Sequence, residues 1–147
     1  MGKNILVSAC LLGICCRYDG RGNPNEKIQQ LLNREDVTLI PVCPEQLGGL
    51  STPRVPSERI ADRVFNRLGE DVTDNFIRGA EAALQIARLN NCRTAILKER
   101  SPSCGCGRIY DGSFSGTLKE GNGITAEILI ADGIRVYGER QIPAIFD

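Results

Sequence analysis

The amino-acid sequence predicts an α/β fold with three layers, Rossmann-like or flavodoxin-like, in which a mostly parallel sheet has helices on both faces. Short apolar runs alternate with amphipathic segments, as is typical of parallel strands joined by crossover helices. The 147 residues, 41% hydrophobic and 24% charged, suit one globular domain over residues 1–147. No GxGxxG sequence follows the first predicted strand, so a dinucleotide cofactor has no motif support.

The first part of the chain predicts two buried strands separated by a short helix. The strands are predicted at 4–9 and 37–42, where apolar, β-prone residues follow one another. A helix is predicted at 25–34 because apolar residues recur on one side. That side consists of Ile28, Leu31 and Leu32.

The middle of the chain predicts an ordered loop and a small hairpin. Residues 45–60 contain two prolines and two glycines, and loops of this length in compact domains are usually functional or disordered. We expect one turn of helix at most within this loop. A hairpin is predicted from 63–66 and 71–73, joined around Gly69.

The second half predicts a long helix and a second set of sheet elements. Thr73 or Asp74 is the expected N-cap, and the helix ends near Asn90. Its buried stripe is predicted to be Phe76, Ile77, Ala80, Ala83, Leu84 and Ala87. The remaining elements are a strand at 94–97, a loop with an irregular hairpin at 100–121, a helix at 123–132 and a strand at 134–137.

Charge and hydropathy limit the classes of function. The chain has 18 basic and 18 acidic residues, so RNA binding by bulk charge is disfavoured, although a local basic patch stays open. No apolar run approaches the roughly 20 residues that cross a bilayer, and the N-terminus does not resemble a signal peptide. We therefore expect no membrane association and a cytoplasmic location.

Cysteine is the residue type that points to chemistry. The chain has seven cysteines and no histidine, and in a cytosolic protein metal binding or catalysis is a more common use than a disulfide. Cys10, Cys43 and Cys104 each follow a predicted strand, and the carboxyl ends of parallel strands share one edge. Converging thiolates predict a soft-metal site there. The alternative for each is a small buried apolar residue.

The spacing of the cysteines indicates which metal to expect. Structural zinc sites usually use CxxC pairs or histidine, and the sequence contains neither. Iron–sulfur clusters need thiolates but no local spacing. Cys15 and Cys16 are adjacent and rarely bridge without strain. Cys92 is expected to be a packing residue, and Cys106 forms a CxC pair with Cys104.

Two further residues lie close to these cysteines in the chain. Glu45 is two residues after Cys43 and is either a solvated loop residue or an acid–base group. Ser101 precedes Cys104 by three residues and either caps a turn or offers a hydroxyl to the site. The residues alone leave these alternatives open.

Three long segments together resemble the thiouracil desulfurase family. They are VSACLLGICCRYDG, PVCPEQLGGLSTPR and ILKERSPSCGCGRIYDGSFSG. The resemblance extends over RVFNRLGEDVT and GITAEILIADGIRVYGE and so covers nearly the whole chain. The order and spacing of the three segments make it specific.

The resemblance implies a 4Fe–4S cluster as the cofactor, held by Cys10, Cys43 and Cys104, with one iron free of protein ligands to bind the sulfur of a thiolated base. It also implies that Glu45 and Ser101 act in proton transfer or substrate placement. The implied reaction is a non-redox conversion of a thiocarbonyl to a carbonyl plus hydrogen sulfide.

The resemblance also suggests a substrate pocket and a substrate class. Asp19 of RYDG and Arg54 of TPR fall in family motifs and are candidate substrate-pocket residues. Size and neutral charge favour a small thiolated base over tRNA. The alternatives are a sulfur-transfer enzyme, an iron–sulfur redox sensor and a structural zinc module. No P-loop that would support adenylation in sulfur transfer is visible.

Overall fold

Strands and helices alternate along most of the chain. The structure, a computed structural model, describes residues 2–142. Its strands are β1 (Lys3–Ser8), β2 (Val37–Val42), β3 (Ser57–Ile60), β4 (Arg63–Asn66), β5 (Thr94–Leu97), β6 (Arg108–Tyr110), β7 (Leu118–Glu120) and β8 (Arg135–Gly138). Its α-helices are α1 (Glu26–Leu31), α2 (Pro44–Leu47), α3 (Thr73–Leu89) and α4 (Ile124–Ala131), with 3-10 helices at Ala9–Leu12 and Glu139–Gln141.

The central sheet has the order β2-β1-β5-β8, and all of its strands are parallel. Ile5 of β1 lies opposite Leu39 of β2 on one side and Thr94 of β5 on the other. The chain thus extends the sheet outward from β1 in both directions, which creates a switch point between β1 and β5. Open α/β sheets bind ligands outside the carboxyl ends of the strands at such a point. The predicted mostly parallel α/β sheet is confirmed.

Helices cover both faces of this sheet, as predicted. Ile5 and Val7 of β1 pack in one buried cluster with Ile28 of α1. Leu6, which points to the opposite face, packs in another cluster with Ala87 of α3 and Leu129 of α4. Because successive side chains of a strand alternate between faces, the apolar run of β1 supplies both layers of core. Among the helices of residues 2–142, none is long and apolar enough to cross a membrane.

Two predicted core positions are wrong. Leu32 is 59% exposed because α1 ends at Leu31 and Leu32 occupies its C-cap. Ile77 is 36% exposed because Phe76 takes the core-facing position beside it in the first turns of α3. The apolar stripe of α3 is therefore narrower than the sequence suggests.

The small hairpin pairs differently from the prediction. β4 pairs antiparallel with β3, Ser57–Ile60, a segment that was predicted as part of a loop. Of the predicted pairing with 71–73, a single bridge between Phe65 and Asp71 is present. The predicted helical turn within 45–60 is found as α2.

Helix α3 begins at Thr73, and neither Thr73 nor Asp74 caps it. Val72 occupies the N-cap position and offers no side-chain hydrogen bond. The Asp71 carboxylate instead accepts the Thr73 N–H at 2.9 Å, and the buried Thr73 hydroxyl accepts the Val64 N–H at 2.8 Å. The predicted cap is wrong because the helix begins one residue after Val72, and the Thr73 hydroxyl bonds to β4 instead of to the first turn of α3.

A close backbone approach joins α2 to α3 and fixes the segment that carries Glu45. A Cβ on Gly79 of α3 would overlap the Pro44 carbonyl oxygen, and a Cβ on Gly48 would overlap the Asn75 carbonyl oxygen. Glycine at both positions lets the two helices touch through their backbones. The geometry of this part of the sheet edge therefore requires residues without a Cβ atom at positions 48 and 79.

Replacement of Gly79 by alanine is expected to destabilise the protein by roughly 1–3 kcal/mol because backbone atoms must move apart. Within a helix the same change otherwise stabilises by about 1 kcal/mol, so the sign of the effect tests the contact. Urea unfolding would measure it. Gln85→Ala, at an exposed position of the same helix, is the control, and a stabilised Gly79→Ala variant would contradict the close approach.

Candidate functional site

A cavity of about 480 Å³ opens at the carboxyl ends of β1, β2 and β5. This volume is in the range of small-molecule sites, and the place is the switch point of the sheet. The cavity brings together six of the predicted site residues, namely Cys10, Cys43, Glu45, Arg54, Ser101 and Cys104. Asp19 is not among the residues that line it.

Three of the lining thiols come from three different strand ends. Cys10 lies in the 3-10 helix that follows β1 and is 7% exposed. Cys43 follows β2 and is the N-cap of α2, and its thiol donates to the Cys16 carbonyl oxygen at 3.6 Å. Cys104 lies in the loop after β5 and is 5% exposed. The expected convergence of strand-end cysteines is therefore present.

Cys16 is a fourth thiol in this cavity. It is 2% exposed, and its thiol hydrogen-bonds to those of Cys10 and Cys43. The hydrogen bond with Cys10 and burial raise the pKa of Cys16 to about 11, while Cys43 and Arg54 oppose the rise. The sequence analysis left Cys16 outside the site. Its closeness to Cys10 in the sequence was the one indication that Cys16 belongs to the site, but the path of the loop between them could not be predicted from the sequence.

The pKa values of Cys16, Cys43 and Cys104 are all raised, so these three thiols are protonated near neutral pH. The hydrogen bond with Cys16 is the main cause that raises the pKa of Cys43, followed by burial. Burial raises the pKa of Cys104 to about 12, and the charges of Glu45 and Cys43 add to the rise while Ser8 opposes it. Because metals bind the thiolate, a metal would have to displace these protons.

The donor set suits a soft metal centre. Sulfur ligands on separate loops, without histidine, are typical of iron–sulfur clusters, whose thiolates bind different iron atoms. Within the part of the chain that the structure describes, no three Cys, Asp or Glu side chains are grouped to hold a single metal ion. Cys10, Cys43 and Cys104 are the residues that could hold a cluster.

Glu45 and Arg54 form a shielded ion pair beside the thiols. The Arg54 Nε donates to Glu45 Oε1 at 3.0 Å, and the two side chains are 8% and 18% exposed for Arg54 and Glu45 respectively. Burial raises the pKa of Glu45 above its ordinary value, and Arg54 opposes the rise. A raised pKa moves a carboxyl group in the direction that acid–base catalysis at neutral pH requires.

Arg54 makes more bonds to the protein than its predicted role requires. Besides Glu45, its guanidinium donates to the Ser51 carbonyl oxygen at 3.1 Å, the Thr52 hydroxyl at 3.0 Å and the Cys16 carbonyl oxygen at 3.0 Å. These bonds use four of the five donors of a guanidinium. The side chain therefore fixes the loops that carry Glu45 and Cys16.

Ser101 presents a hydroxyl with one free hydrogen at the cavity. Its oxygen accepts the N–H of Ser103 and the N–H of Cys104, both at 3.0 Å. Both acceptor sites of a hydroxyl are then used, and its hydrogen remains to be donated. Ser101 thus shapes the Cys104 loop and can donate to a molecule in the cavity.

Asp19 lies at the surface near the cavity wall. Its carboxylate accepts the Arg21 N–H at 3.0 Å and is 3.8 Å from the guanidinium of Arg17. Arg17 and Tyr18 do line the cavity. A role of Asp19 in the substrate pocket stays a prediction, and the geometry allows it to act through Arg17.

Several lining residues were missed by the sequence analysis. They include Tyr18, Glu58, Arg67, Tyr110 and Phe114. Each is an ordinary residue of a loop or short strand, and no local pattern separates it from its neighbours. Their convergence depends on how the hairpins β3–β4 and β6–β7 fold over the sheet edge.

Known proteins resemble this chain in sequence and in structure over most of its length. The family model for 2-thiouracil desulfurase matches residues 5–141. The uncharacterized protein YbbK of Bacillus subtilis (strain 168) is 43% identical in an alignment of 148 positions that covers 94% of this chain and 97% of YbbK. The solved structure of a 4Fe–4S-dependent thiouracil desulfidase, TudS, is 44% identical with a TM-score of 0.89, covering 97% of this chain and 94% of that one.

Proposed function

The chain belongs to the 2-thiouracil desulfurase family, and we propose that it is an enzyme that removes the sulfur of a thiolated pyrimidine such as thiouracil. The thiocarbonyl and water become a carbonyl and hydrogen sulfide, so atoms balance and no oxidant or reductant is needed. One observation carries the proposal: the thiols, Glu45, Arg54 and Ser101 all line one cavity at the switch point of the sheet.

We assign a 4Fe–4S cluster to Cys10, Cys43 and Cys104, in line with the name of the TudS relative. Three protein thiolates would leave one iron without a protein ligand, and the cluster would supply a thiophilic Lewis acid that prefers the sulfur of a thiocarbonyl to a carbonyl oxygen. The glycines that flank Cys106 let the Cys104 loop approach an inorganic core closely. All seven cysteines are free in the described chain, as expected in the reducing cytoplasm where we place the reaction.

Glu45 is the residue that moves protons. Its carboxylate accepts a proton from the attacking water, or its carboxyl group protonates a ring nitrogen. Arg54 bonds to Oε1 of Glu45, which leaves Oε2 for the proton transfer. The raised pKa of Glu45 favours uptake of a proton. Ser101 donates its free hydroxyl hydrogen to the substrate, since both acceptor positions are already occupied.

Replacement of Arg54 by lysine is expected to lower kcat/KM by roughly 10- to 100-fold. A lysine ammonium cannot make the four hydrogen bonds by which Arg54 holds Glu45, the segment 51–52 and Cys16 in place. The loss follows from misplacement of Glu45, so the variant should keep its cluster. Steady-state kinetics and iron content would measure both. Arg88→Lys, which changes a surface pair with Asp132, is the control, and an active Arg54→Lys variant would rule out the positioning role.

The free base is the substrate form we propose, in preference to tRNA. The cavity of about 480 Å³ suits a small molecule, and the net charge of +0 offers no bulk attraction to a phosphate backbone. Arg17 lines the cavity and is placed to contact the outer part of a substrate, and Asp19, 3.8 Å from its guanidinium, orients it from outside the lining.

Anaerobic purification followed by iron, acid-labile sulfide and sulfide-release assays tests the proposal. We expect about four irons and four sulfides per chain, and sulfide production from 2-thiouracil without added reductant. A cluster without sulfide release would favour a sensor. Sulfide consumption that depends on ATP would favour sulfur transfer, and one zinc or no metal would remove the proposed catalyst.

A further inference from the structure

Glu58 is a buried carboxylate at the cavity with no part in the chemistry described above. It lies on β3, is 8% exposed and lines the cavity. Its Oε1 accepts two backbone hydrogen bonds from the loop between β6 and β7, from Gly112 N–H at 2.9 Å and Phe114 N–H at 3.0 Å. Two amide donors on one oxygen hold the carboxyl group in a fixed orientation.

The second oxygen of Glu58 is available to a ligand. Within residues 2–142, Oε2 accepts no hydrogen bond. Every fully buried polar side-chain atom in this range has a hydrogen-bond partner, so Oε2 is not fully buried. Oε2 is therefore partly accessible, and the residue that carries it lines the cavity. A carboxylate oxygen has about two lone pairs to offer, and a largely desolvated one is costly to leave without a donor.

Two aromatic side chains line the cavity together with Glu58. Tyr110 and Phe114 line the same cavity, and flat apolar rings of this kind pack against the face of a base. Phe114 has a φ of 56°, a left-handed conformation that is strained for a bulky residue. The bond from its N–H to Glu58 and the Arg67 guanidinium, 5.8 Å from its ring centroid, hold it there.

We propose that Oε2 of Glu58 accepts a ring N–H of the substrate while Tyr110 and Phe114 pack against the ring. This inference rests on the proposed function. In 2-thiouracil both nitrogens that flank the thiocarbonyl carbon carry hydrogen, so one of them meets a fixed acceptor. A ring alkylated at that nitrogen leaves the carboxylate unpaired, which is the kind of mismatch that buried polar sites reject strongly. Glu58 is thus a specificity residue for pyrimidines with a free ring N–H.

A purely structural role for Glu58 predicts a different outcome. If the carboxylate only connected β3 to the loop between β6 and β7, the effect of a substrate methyl group on KM would be the same with Glu or Gln at position 58. Coupling between a substitution at Glu58 and a methyl group on the ring therefore separates the two roles.

The test uses Glu58→Gln, whose amide oxygen can keep both backbone bonds while its NH₂ replaces the acceptor by a donor. Sulfide release would give kcat and KM for 2-thiouracil and for its N1-methyl and N3-methyl derivatives. We expect Glu58→Gln to raise KM for 2-thiouracil roughly 10- to 100-fold with little change in kcat. We also expect the wild type to have a similarly raised KM for one of the two methyl derivatives. For that derivative, Glu58→Gln should raise KM little further. Glu120→Gln, an exposed change of the same charge on β7, is the control.

Several outcomes would overturn the proposal. One is a wild type that accepts both methyl derivatives as well as 2-thiouracil, a result that does not depend on whether the variant folds. Another is a variant that discriminates against the methyl derivatives as the wild type does. Calorimetric titration with uracil and its methyl derivatives covers the case in which the wild type releases no sulfide. Methyl-sensitive uracil binding would then support Glu58 while the desulfurase proposal fails, and no uracil binding would overturn both.

Discussion

Alanine at Cys10, Cys43 or Cys104 is expected to remove the bound iron and acid-labile sulfide, and sulfide release with them. Each of these thiols comes from a separate strand end, so each supplies a different side of the proposed cluster. Metal affinity depends on the full set of deprotonated ligands, and a cluster left with two protein thiolates is expected to be lost during purification. Iron and sulfide content per chain, together with the absorption of the cluster, would measure the effect.

Two further cysteines make this prediction selective. Cys106 is two residues beyond Cys104, but its thiol donates to the Val136 carbonyl oxygen and does not line the cavity. Cys106→Ala should therefore retain the cluster. Cys16→Ala is the sharper comparison, because the Cys16 thiol lies against those of Cys10 and Cys43. If Cys16→Ala lost the cluster while Cys10→Ala kept it, the ligand set would be wrong.

The central sheet was readable from the sequence because its strands are locally apolar. The ranges of β2 and β5 agree with the prediction, and β1 differs from it by one residue at each end. Buried parallel strands carry their signal in their own residues. Cys10, Cys43 and Cys104 could be placed at one edge for the same reason, because strand ends and sheet direction determine that convergence.

The hairpin strand β3 was not readable because its burial depends on residues far along the chain. Its two buried side chains are Glu58 and Arg59, which a local pattern assigns to the surface. Arg59 is buried because it donates to the Asn122 carbonyl oxygen and pairs with Glu127. Charged residues of this kind become core residues only when the fold supplies partners, and the fold is what the sequence analysis lacked.

The site shows the same division between local and distant information. The sequence placed Arg54 in the substrate pocket, whereas the structure shows that most of its donors are bound to the protein. Cys16 reaches the other thiols through the course of the loop after Gly13, which is set by tertiary contacts. The sequence therefore predicted most of the residues that meet at the cavity, but not the bonds that each makes there.

Glu45→Gln is expected to keep the cluster and lower kcat by roughly 10²- to 10⁴-fold, the range associated with a positioned acid–base group. The amide oxygen can still accept the hydrogen bond from Arg54 that Glu45 Oε1 accepts at 3.0 Å, so the loop geometry should persist. What the amide cannot do is take up a proton near neutral pH. Because substrate contacts remain, KM should change little, which is typical of a group that acts in the transition state.

The comparison variant for Glu45→Gln is Glu81→Gln, which removes the same charge at an exposed position of α3, the helix that packs on α2. It should match the wild type in iron content and turnover. Glu45→Gln with wild-type turnover would eliminate Glu45 as the proton carrier and direct attention to Ser101, whose hydroxyl also lines the cavity. Glu45→Gln without a cluster would instead assign the carboxylate to cluster retention, because its charge lies close enough to Cys104 to affect the pKa of that thiol. Iron content and kcat measured on the same preparation therefore separate the two roles.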